Sequence, residues 1–348
     1  MADILAKPLA TLGAMFLIVP HLFPDPRLLE AAARGLRLPG LEALLARGRL
    51  RDAPAEGPEA ALCEALGVAR QQDWPIAALA LAAEGEDPGA AWWLRADPVH
   101  LQVMRDRIVL AGSELLDLTH AEAEALAASI GRHFGAGLMP RVRHPHRWYL
   151  SFDVAPDLRT TPLAAAVGRD IGALLPQGTD AGLFRARLNE LQMLLHAHPV
   201  NQAREARGAP TVNSLWLWGG GHAPALAIDP PRVYAQDAAI RALASRCGAQ
   251  SQVLPEKLPA EVLATRSVVV LDDLSASGQA GDAWGWREAV RTLDSTWFML
   301  LRTRLRSVGP HGLALLDPVH GKMLGLAARD AWRIWRRSRP LLEGPLAG

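Results

Sequence analysis

Short apolar runs alternate along the first part of this chain with longer segments that carry apolar residues at helical spacing. Met15–Leu22 (MFLIVPHL) is such a run, and its apolar character on both alternating faces is typical of a strand inside a covered sheet. In the segment that follows, Leu41, Leu44 and Leu45 have the spacing of one helix face, and Gly48 is a suitable helix stop. The alternation predicts an α/β protein with a mostly parallel sheet.

A different pattern begins near residue 99. HLQVMRDRIVLAG and RHPHRWYLSFDV are typical of strands, and Thr119 lies three residues before Glu122, which is the spacing of a capping box at a helix start. A compact α+β domain of about a hundred residues fits this segment. We therefore predict a first core part at residues 1–98, an inserted α+β domain at residues 99–200, and a second core part at residues 201–348.

The stretch Val212–Gly221 (VNSLWLWGGG) alternates leucine with tryptophan, which is the period of a β-strand. One interpretation is a core strand that lies in the same sheet as Met15–Val19 and Val268–Leu271. The other is the wall of a small-molecule cleft, in which the backbone of Gly219–Gly221 approaches a bound anion. Trp218, next to the glycines, is expected at the open end of the strand.

Candidate ligand-binding residues lie within this stretch and just before it. Two arginines near a glycine are able to hold an anion bidentately, and a glycine run offers backbone N–H groups. The alternative is a surface helix whose arginines reflect composition alone. The predicted set, for a small anionic ligand, comprises His198, Asn201, Arg204, Arg207, Asn213, Trp218, Gly219 and Gly220.

Charge and cysteine content argue against several classes of protein. With 37 basic and 36 acidic residues the net charge is +1, which gives no long-range attraction to nucleic acid or to an anionic membrane. Cys63 and Cys247 are too few for a disulfide framework and lack metal-ligand spacing. The apolar run Ala14–Val19 is too short to span a bilayer. We expect a cytoplasmic protein with no cofactor, with an unknown protein partner, and with neither nucleic acid nor membrane as a partner.

The C-terminal segment Trp332–Pro340 (WRIWRRSRP) mixes aromatic and basic residues, as nucleic-acid-binding or membrane-surface segments do. A short basic helix, with its cations at the negative end of the helix dipole, is the simpler interpretation. The sequence therefore predicts a helix here rather than a binding surface.

The segment HAHPVNQAREARGAPTVNSLWLWGGGHAPAL resembles a region of the archaeal-type cofactor-independent phosphoglycerate mutases, members of the alkaline phosphatase superfamily. LPGLEALLARGRL resembles the first core helix of that family, and LTHAEAEALAASIGRHF resembles part of its inserted domain. Within that family the chain resembles a bacterial branch variously labelled phosphoglycerate mutase or RpfE-type regulatory protein. This resemblance implies an alkaline-phosphatase-like α/β core with a mostly parallel sheet and an inserted α+β domain.

Phosphoryl transfer in that superfamily uses a serine or threonine nucleophile and two divalent cations held by Asp and His residues. The family's first strand normally ends in Asp-Gly, whereas here it runs into Pro20 and His21. The segment Gly57–Gly67 (GPEAALCEALG) resembles the family's nucleophile segment, and its serine position is Pro58. Proline has no hydroxyl and cannot attack phosphorus, so the resemblance assigns no catalytic residue.

The metal ligands implied by the resemblance are depleted in the same way. LDDLSASGQAGD retains aspartates but lacks the histidine that the family's segment contains, and LLDPVH only echoes the family's final Asp-His pair. The weak metal candidates that remain are Asp272, Asp273, Asp317 and His320. The sequence thus predicts a catalytically degenerate protein with a binding or regulatory role, and it leaves the question of enzymatic activity open.

Two alternatives accompany this prediction. One is an active metal-dependent phosphotransferase or phosphoglycerate mutase, whose site is rebuilt from Glu59 and the weak metal candidates. The other is a structural or interaction module whose former cleft is filled by side chains.

Overall fold

Two units make up the fold in a computed structural model that describes residues 15–105, 107–112, 116–225, 228–259, 262–263, 265–307 and 312–343. The first, the core unit, combines the chain up to Val68 with the chain from Leu226 onward. The second, the inserted unit, runs from Ala69 to Ala225. The sequence suggested an insertion at residues 99–200, so the observed unit starts earlier and ends later.

Strands and helices are named in chain order. The strands are β1 Met15–Ile18, β2 Arg49–Asp52, β3 Trp92–Val99, β4 Leu101–Val103, β5 Ile108–Leu110, β6 Arg141–His144, β7 Arg147–Phe152, β8 Ser214–Gly221, β9 Arg232–Ala235, β10 Ser251–Val253, β11 Ser267–Val270, β12 Leu313–Asp317 and β13 Lys322–Leu326. The helices are α1 Pro26–Ala33, α2 Pro39–Arg47, α3 Pro58–Leu66, α4 Ile76–Ala83, α5 His120–Phe134, α6 Leu163–Ala166, α7 Ala181–His196, α8 Pro199–Ala206, α9 Ala238–Arg246, α10 Ser275–Ala280, α11 Ala283–Leu293 and α12 Met299–Arg304. Among the described residues, no helix has the length and apolar character needed to cross a membrane.

The core unit contains a seven-stranded sheet in the order β10-β9-β11-β1-β12-β13-β2. The first five strands in this order run parallel to one another. At the opposite edge, β13 pairs antiparallel with both β12 and β2. Leu17 in β1 pairs with Val269 of β11 and with Leu315 of β12. Every residue of β1 is buried, which requires cover on both faces and explains the continuous apolar run. The predicted α/β fold with a mostly parallel sheet is confirmed.

The inserted unit is built on an antiparallel sheet in the order β6-β7-β3-β8. Helices α5 and α7 contribute to a buried cluster that includes Trp148, Leu217 and Phe184. The alanine-rich helix α4 forms a second, smaller cluster with Trp93 and Tyr149. The unit therefore has a hydrophobic core of its own and is an α+β domain.

Strand β8 corrects a prediction made from the sequence. It pairs with β3 in the inserted unit, where Trp216 lies opposite Asp97 and Trp218 opposite Arg95, and it does not share a sheet with β1. A period-2 pattern defines the two faces of a strand but holds no information about its neighbouring strand. The predicted common sheet for Met15–Val19 and β8 is therefore wrong, whereas β1 and β11 share a sheet as predicted.

The C-terminal segment is a second correction, because residues 333–340 contain no helix. A short 3₁₀ turn at Ala328–Trp332 ends before them. The Arg333 guanidinium donates to the Arg47 carbonyl at 2.9 Å and lies 3.0 Å from an Asp330 carboxylate oxygen. These side-chain bonds hold the segment against the core unit, and local helix propensity does not decide its conformation.

We expect Trp216→Ala to lower the free energy of unfolding by roughly 3–5 kcal/mol, the usual range for truncation of a buried large aromatic side chain. Trp216 is 4% exposed, and its indole N–H donates to the Thr161 carbonyl at 2.8 Å. Urea unfolding measures the effect. The matched control Trp284→Ala removes an indole that is 71% exposed and should change the free energy by less than about 0.5 kcal/mol. Equal effects of the two substitutions would contradict the burial of Trp216.

Candidate functional site

Polar residues follow parallel strands of the core sheet at their carboxyl ends, the edge where open α/β sheets commonly bind ligands. His21 follows β1, Asp272 and Asp273 follow β11, and Asp317 is the last residue of β12. Because β1 lies between β11 and β12, these three strand ends are neighbours. This carboxyl edge of the core sheet is the candidate functional site.

The Asp317 carboxylate is completely buried and is surrounded by protein donors. Its Oδ1 atom accepts from the backbone N–H groups of His21 (3.2 Å), Val319 (3.0 Å) and His320 (3.1 Å). Its Oδ2 atom accepts from the Phe23 N–H at 2.8 Å and lies 3.1 Å from His320 Nδ1. Burial raises the pKa of Asp317, but the His320 ring and the backbone donors outweigh burial and hold the pKa below its usual value. The carboxylate therefore acts as an ionised clamp between two strand ends.

His21 occupies a strained and enclosed position beside this clamp. Its backbone is left-handed, with φ of 60°, a conformation that non-glycine residues seldom adopt. The residue is 6% exposed, and neither ring nitrogen has a hydrogen-bond partner within the described part of the chain. Its carbonyl accepts from the Trp286 indole N–H at 2.8 Å, and its ring centroid lies 5.1 Å from that of His320. A Cβ at Gly278 would lie 2.4 Å from His21 Cγ, so glycine is required there for the ring to fit.

At neutral pH the His21 ring is uncharged. Burial is the largest cause, and together with His320 it lowers the pKa of His21 from 6.5 to about 4, although Asp317 and Asp25 act in the opposite direction. At the end of the first strand, where the resemblance implies Asp-Gly, this chain has Pro20 and the neutral ring of His21. An unpartnered buried polar group at this edge is the kind of feature that marks functional or formerly functional sites.

The start of helix α3 lies next to the Asp317 loop. The Gly57 N–H donates to the Pro318 carbonyl at 3.0 Å, and Gly57 has a φ of 87° that favours glycine. Pro58 is the first residue of the helix, a position that suits proline because the first-turn N–H groups have no partner within the helix. The residue that the resemblance assigns to the nucleophile position is thus the first residue of α3, and it has no hydroxyl.

The weak metal candidates are only partly brought together at this edge. The side chains of Asp317 and His320, which share the segment LLDPVH, contact each other. The His21 ring lies beside the His320 ring. Burial and the neighbouring Asp273 raise the pKa of Asp272, which disfavours its charged form. In the part of the chain that the structure describes, no three His, Cys, Asp or Glu side chains form a group able to hold a metal ion. The weak metal candidates Asp272 and Asp273 are thus not brought into a ligand set with Asp317 and His320.

Arg204, a predicted anion ligand, is an internal clamp of the inserted unit. Its side chain is fully buried, and Nη1 forms an ion pair with Glu122 at 3.0 Å. Its other donors reach the carbonyls of Pro210 (2.7 Å), Leu116 and Asp117 (3.4 Å). Since every donor group of the guanidinium faces a protein acceptor, Arg204 has no free edge for an anion.

Glu122 connects this clamp to the predicted capping box, which is confirmed. The Glu122 N–H donates to the Thr119 hydroxyl at 3.2 Å, and the Glu122 carboxylate accepts from the Thr119 N–H at 2.9 Å. Arg207, a second predicted anion ligand, donates to the same carboxylate at 2.6 Å. Partial burial raises the pKa of Glu122, but the bonds from Thr119 and Arg207 outweigh burial and lower the pKa to about 2. Both arginines are therefore paired with an ionised carboxylate.

The remaining polar candidates before β8 also have structural roles. Asn201 is buried and donates to the carbonyls of Leu195 and Val212 at 2.8 and 2.7 Å. Asn213 donates to the Leu101 carbonyl at 2.9 Å and accepts from the N–H of the same residue at 2.7 Å. His198 caps helix α8, because its Nδ1 atom accepts from the Val200 N–H at 3.2 Å. These bonds fasten the chain that leads into β8.

Trp218 and the glycines after it are interior features of the inserted unit. The Trp218 indole N–H donates to Asp97 at 2.7 Å, and the Arg95 guanidinium lies 5.1 Å from the ring centroid. Gly219 has a φ of 67°, and a Cβ at Gly220 would lie 2.3 Å from the Trp92 ring. The glycines thus allow close packing, which favours the core-strand interpretation. Anion binding by this set stays a prediction that the geometry does not support.

Sequence reasoning gave no role to two features that the structure makes prominent. Arg95 and Asp97 form a buried ion pair at 2.8 Å between residues two apart on β3. The signal was available, because residues i and i+2 of a strand share a face and opposite charges in the apolar segment WWLRADPV must compensate each other. The second feature is the His21 ring. Its signal in the sequence was the occurrence of a histidine shortly after an apolar strand.

Over part of its length the chain is similar to proteins named as phosphoglycerate mutases. A 2,3-bisphosphoglycerate-independent phosphoglycerate mutase from Methanothrix thermoacetophila is 32% identical over 110 residues, which cover 31% of this chain and 28% of that protein. The enzyme of the same name from Methanosarcina mazei is 31% identical over 85 residues, which cover 24% of this chain and 21% of that protein. The match thus spans about a quarter of the length of these relatives. No family model matches the sequence. The resemblance stated from the sequence is confirmed to this extent, while the RpfE-type assignment stays a prediction.

Two solved structures cover most of the chain at low similarity. The cofactor-independent phosphoglycerate mutase from Thermoplasma acidophilum is 18% identical with a TM-score of 0.39, covering 90% of this chain and 89% of that one. A protein from Pyrococcus horikoshii is 15% identical with a TM-score of 0.45, covering 95% and 92%. Both TM-scores are below 0.5, so the fold class rests on the strand order of this chain.

We expect His21→Asn to reduce the loss of stability in acid. The pKa of His21 is about 4 in the folded chain and 6.5 when unfolded, so the unfolded state takes up a proton first as the pH falls from 6.5 to 4. Stability is therefore lost over that window, by roughly 3 kcal/mol for a shift of this size. Asparagine tolerates the left-handed backbone and does not titrate.

Urea unfolding at a series of pH values measures this effect. The slope of unfolding free energy against pH should become shallower between pH 6.5 and 4 in the variant than in the unmodified protein. His196→Asn, which removes an exposed histidine, is the matched control. An unchanged slope in His21→Asn would show that the ring titrates normally and is not enclosed.

Proposed function

We propose that this protein is a catalytically degenerate relative of the cofactor-independent phosphoglycerate mutases, of the branch labelled RpfE-type, and that it acts as a binding or regulatory protein. Pro58 carries this proposal. The bond from the Gly57 N–H to the Pro318 carbonyl sets the start of α3 beside the Asp317 loop, where a nucleophile would have to stand. The residue at that start is a proline, which has no nucleophilic atom.

The bonding of Asp317 supports the same proposal. A metal ion at this carboxylate would compete with four backbone N–H groups and the His320 ring. Each buried N–H that loses its partner costs about 1–3 kcal/mol. Pro20 and the neutral ring of His21 also stand in place of the Asp-Gly that the resemblance implies, so the end of the first strand offers no negative charge to two divalent cations.

The cavity next to α3 does not favour capture of a small anion. It measures about 170 Å³ and lies beside the helix start. Arg51 is the single cationic side chain among its described lining residues, which also include Asp52, Glu56 and Glu64. Because carboxylates outnumber the guanidinium, the local potential does not attract a phosphate ester. The proposed binding or regulatory role therefore does not rest on a small anion in this cavity.

The proposal is tested by assaying the interconversion of 2- and 3-phosphoglycerate in the presence of manganese, cobalt or zinc. The Methanosarcina mazei relative, assayed in parallel, is the positive control. We expect no turnover above background for the unmodified protein or for Pro58→Ser, because a serine alone lacks the cations that would activate it. Circular dichroism verifies that Pro58→Ser remains folded.

Turnover by the unmodified protein that a chelator abolishes would contradict the proposal. It would support the alternative of an active metal-dependent phosphotransferase whose site is rebuilt from Glu59, Asp272, Asp273, Asp317 and His320. Turnover only in Pro58→Ser would contradict the part of the proposal that concerns the metal site. It would show that the metal site is intact and that the nucleophile alone has been lost.

A further inference from the structure

The segment Trp332–Pro340, which we call the basic aromatic segment, is a surface loop of the core unit fastened at both ends. At its start Arg333 is bound to Asp330 (3.0 Å) and to the Arg47 carbonyl (2.9 Å). Just after its end Leu341 is 3% exposed and belongs to the main hydrophobic cluster. The segment is therefore held in a defined position, and the exposure of its side chains is a property of the fold.

Three large apolar side chains of this segment point into solvent. Trp332 is 59% exposed, Ile334 73% and Trp335 72%. A single exposed apolar side chain is ordinary on a protein surface, but three within four consecutive residues are not. Such a concentration is typical of a surface that another molecule or a membrane covers.

Basic side chains accompany the apolar ones. The segment contains four arginines, at 333, 336, 337 and 339, and no acidic residue. Arg337 and Arg339 form no ion pair or hydrogen bond with any described residue, and with Arg336 they line a groove of about 550 Å³. The groove walls also include apolar side chains, among them Leu45 and Leu341, and the acidic residues Glu42 and Glu343. Glu42 is neutralised by Arg37 at 3.1 Å, which leaves the groove with an excess of positive charge.

We propose that the basic aromatic segment docks the protein on an anionic phospholipid surface. Indole rings favour the region between lipid head groups and acyl chains, and an aliphatic side chain such as that of Ile334 gains free energy by entering the same region. Unpaired arginines beside them bind lipid phosphates. This arrangement replaces the basic helix that the sequence suggested, and it revises the expectation that no membrane is a partner.

A nucleic acid fits this surface less well. Single strands are bound by flat rings on which bases stack, and Ile334 between the two tryptophans provides no such platform. The net charge of the whole chain is +1, which gives no long-range attraction to a phosphate backbone. The inference does not depend on the loss of catalysis proposed above, because the segment is separate from the carboxyl edge of the core sheet in sequence and in its chemistry.

Vesicle flotation of the full chain tests the proposal. The probes are vesicles of phosphatidylcholine alone and vesicles of phosphatidylcholine mixed with phosphatidylglycerol. We expect binding to the anionic vesicles only, and weaker binding when the salt concentration is raised. Ile334→Ser with Trp335→Ser should abolish flotation, and Arg337→Gln with Arg339→Gln should weaken it roughly tenfold or more.

Matched controls come from the same unit. Trp284→Ser removes an indole that is 71% exposed outside the segment, and Arg27→Gln with Arg246→Gln removes two exposed arginines elsewhere. Neither should alter flotation. The proposal is overturned if the unmodified chain does not float with anionic vesicles, or if the control variants weaken flotation as much as the segment variants. It is also overturned if an oligothymidylate probe binds through this segment while the anionic vesicles do not.

Discussion

The carboxyl edge of the core sheet depends on the hydrogen bonds that the Asp317 carboxylate accepts. It joins the end of β12 to the turn after β1 by accepting the N–H groups of His21 and Phe23. Through the same two oxygens it also fixes its own loop at Val319 and His320. A buried charge is stable only when donors surround it, and here the backbone supplies them. The carboxylate thereby becomes a structural element, although its position at the sheet edge is that of a catalytic group.

The neighbouring residues follow from this bonding. The turn that brings the His21 N–H to Asp317 also gives His21 its left-handed backbone, and it encloses the ring against Gly278. Pro58 stands at the start of α3, which the Gly57 bond to Pro318 ties to the same loop. His21, Pro58 and Asp317 thus belong to one connected arrangement at the carboxyl edge.

The sequence predicted those features whose signal is local. The apolar runs of β1 and β11 identified two strands of one covered parallel sheet, and Thr119 with Glu122 identified a helix start. It could not predict the partner of β8, because alternation describes faces and not neighbours. It also misread Arg204, whose acceptors at Leu116 and Pro210 are brought together only by the fold of the inserted unit. The pairing of His21 with the Asp317 loop spans almost the whole chain, so no local pattern could reveal it.

The central proposal is that this edge does not bind two divalent cations, and manganese binding tests it most directly. Electron paramagnetic resonance detects free Mn²⁺, so a titration of the purified protein reports how many ions are bound and how tightly. Because Asp317 is occupied by backbone donors and no described group of three ligands surrounds it, we expect Mn²⁺ to remain free at micromolar concentrations. Two tightly bound ions per chain, lost when Asp317 is changed to Asn, would contradict the claim.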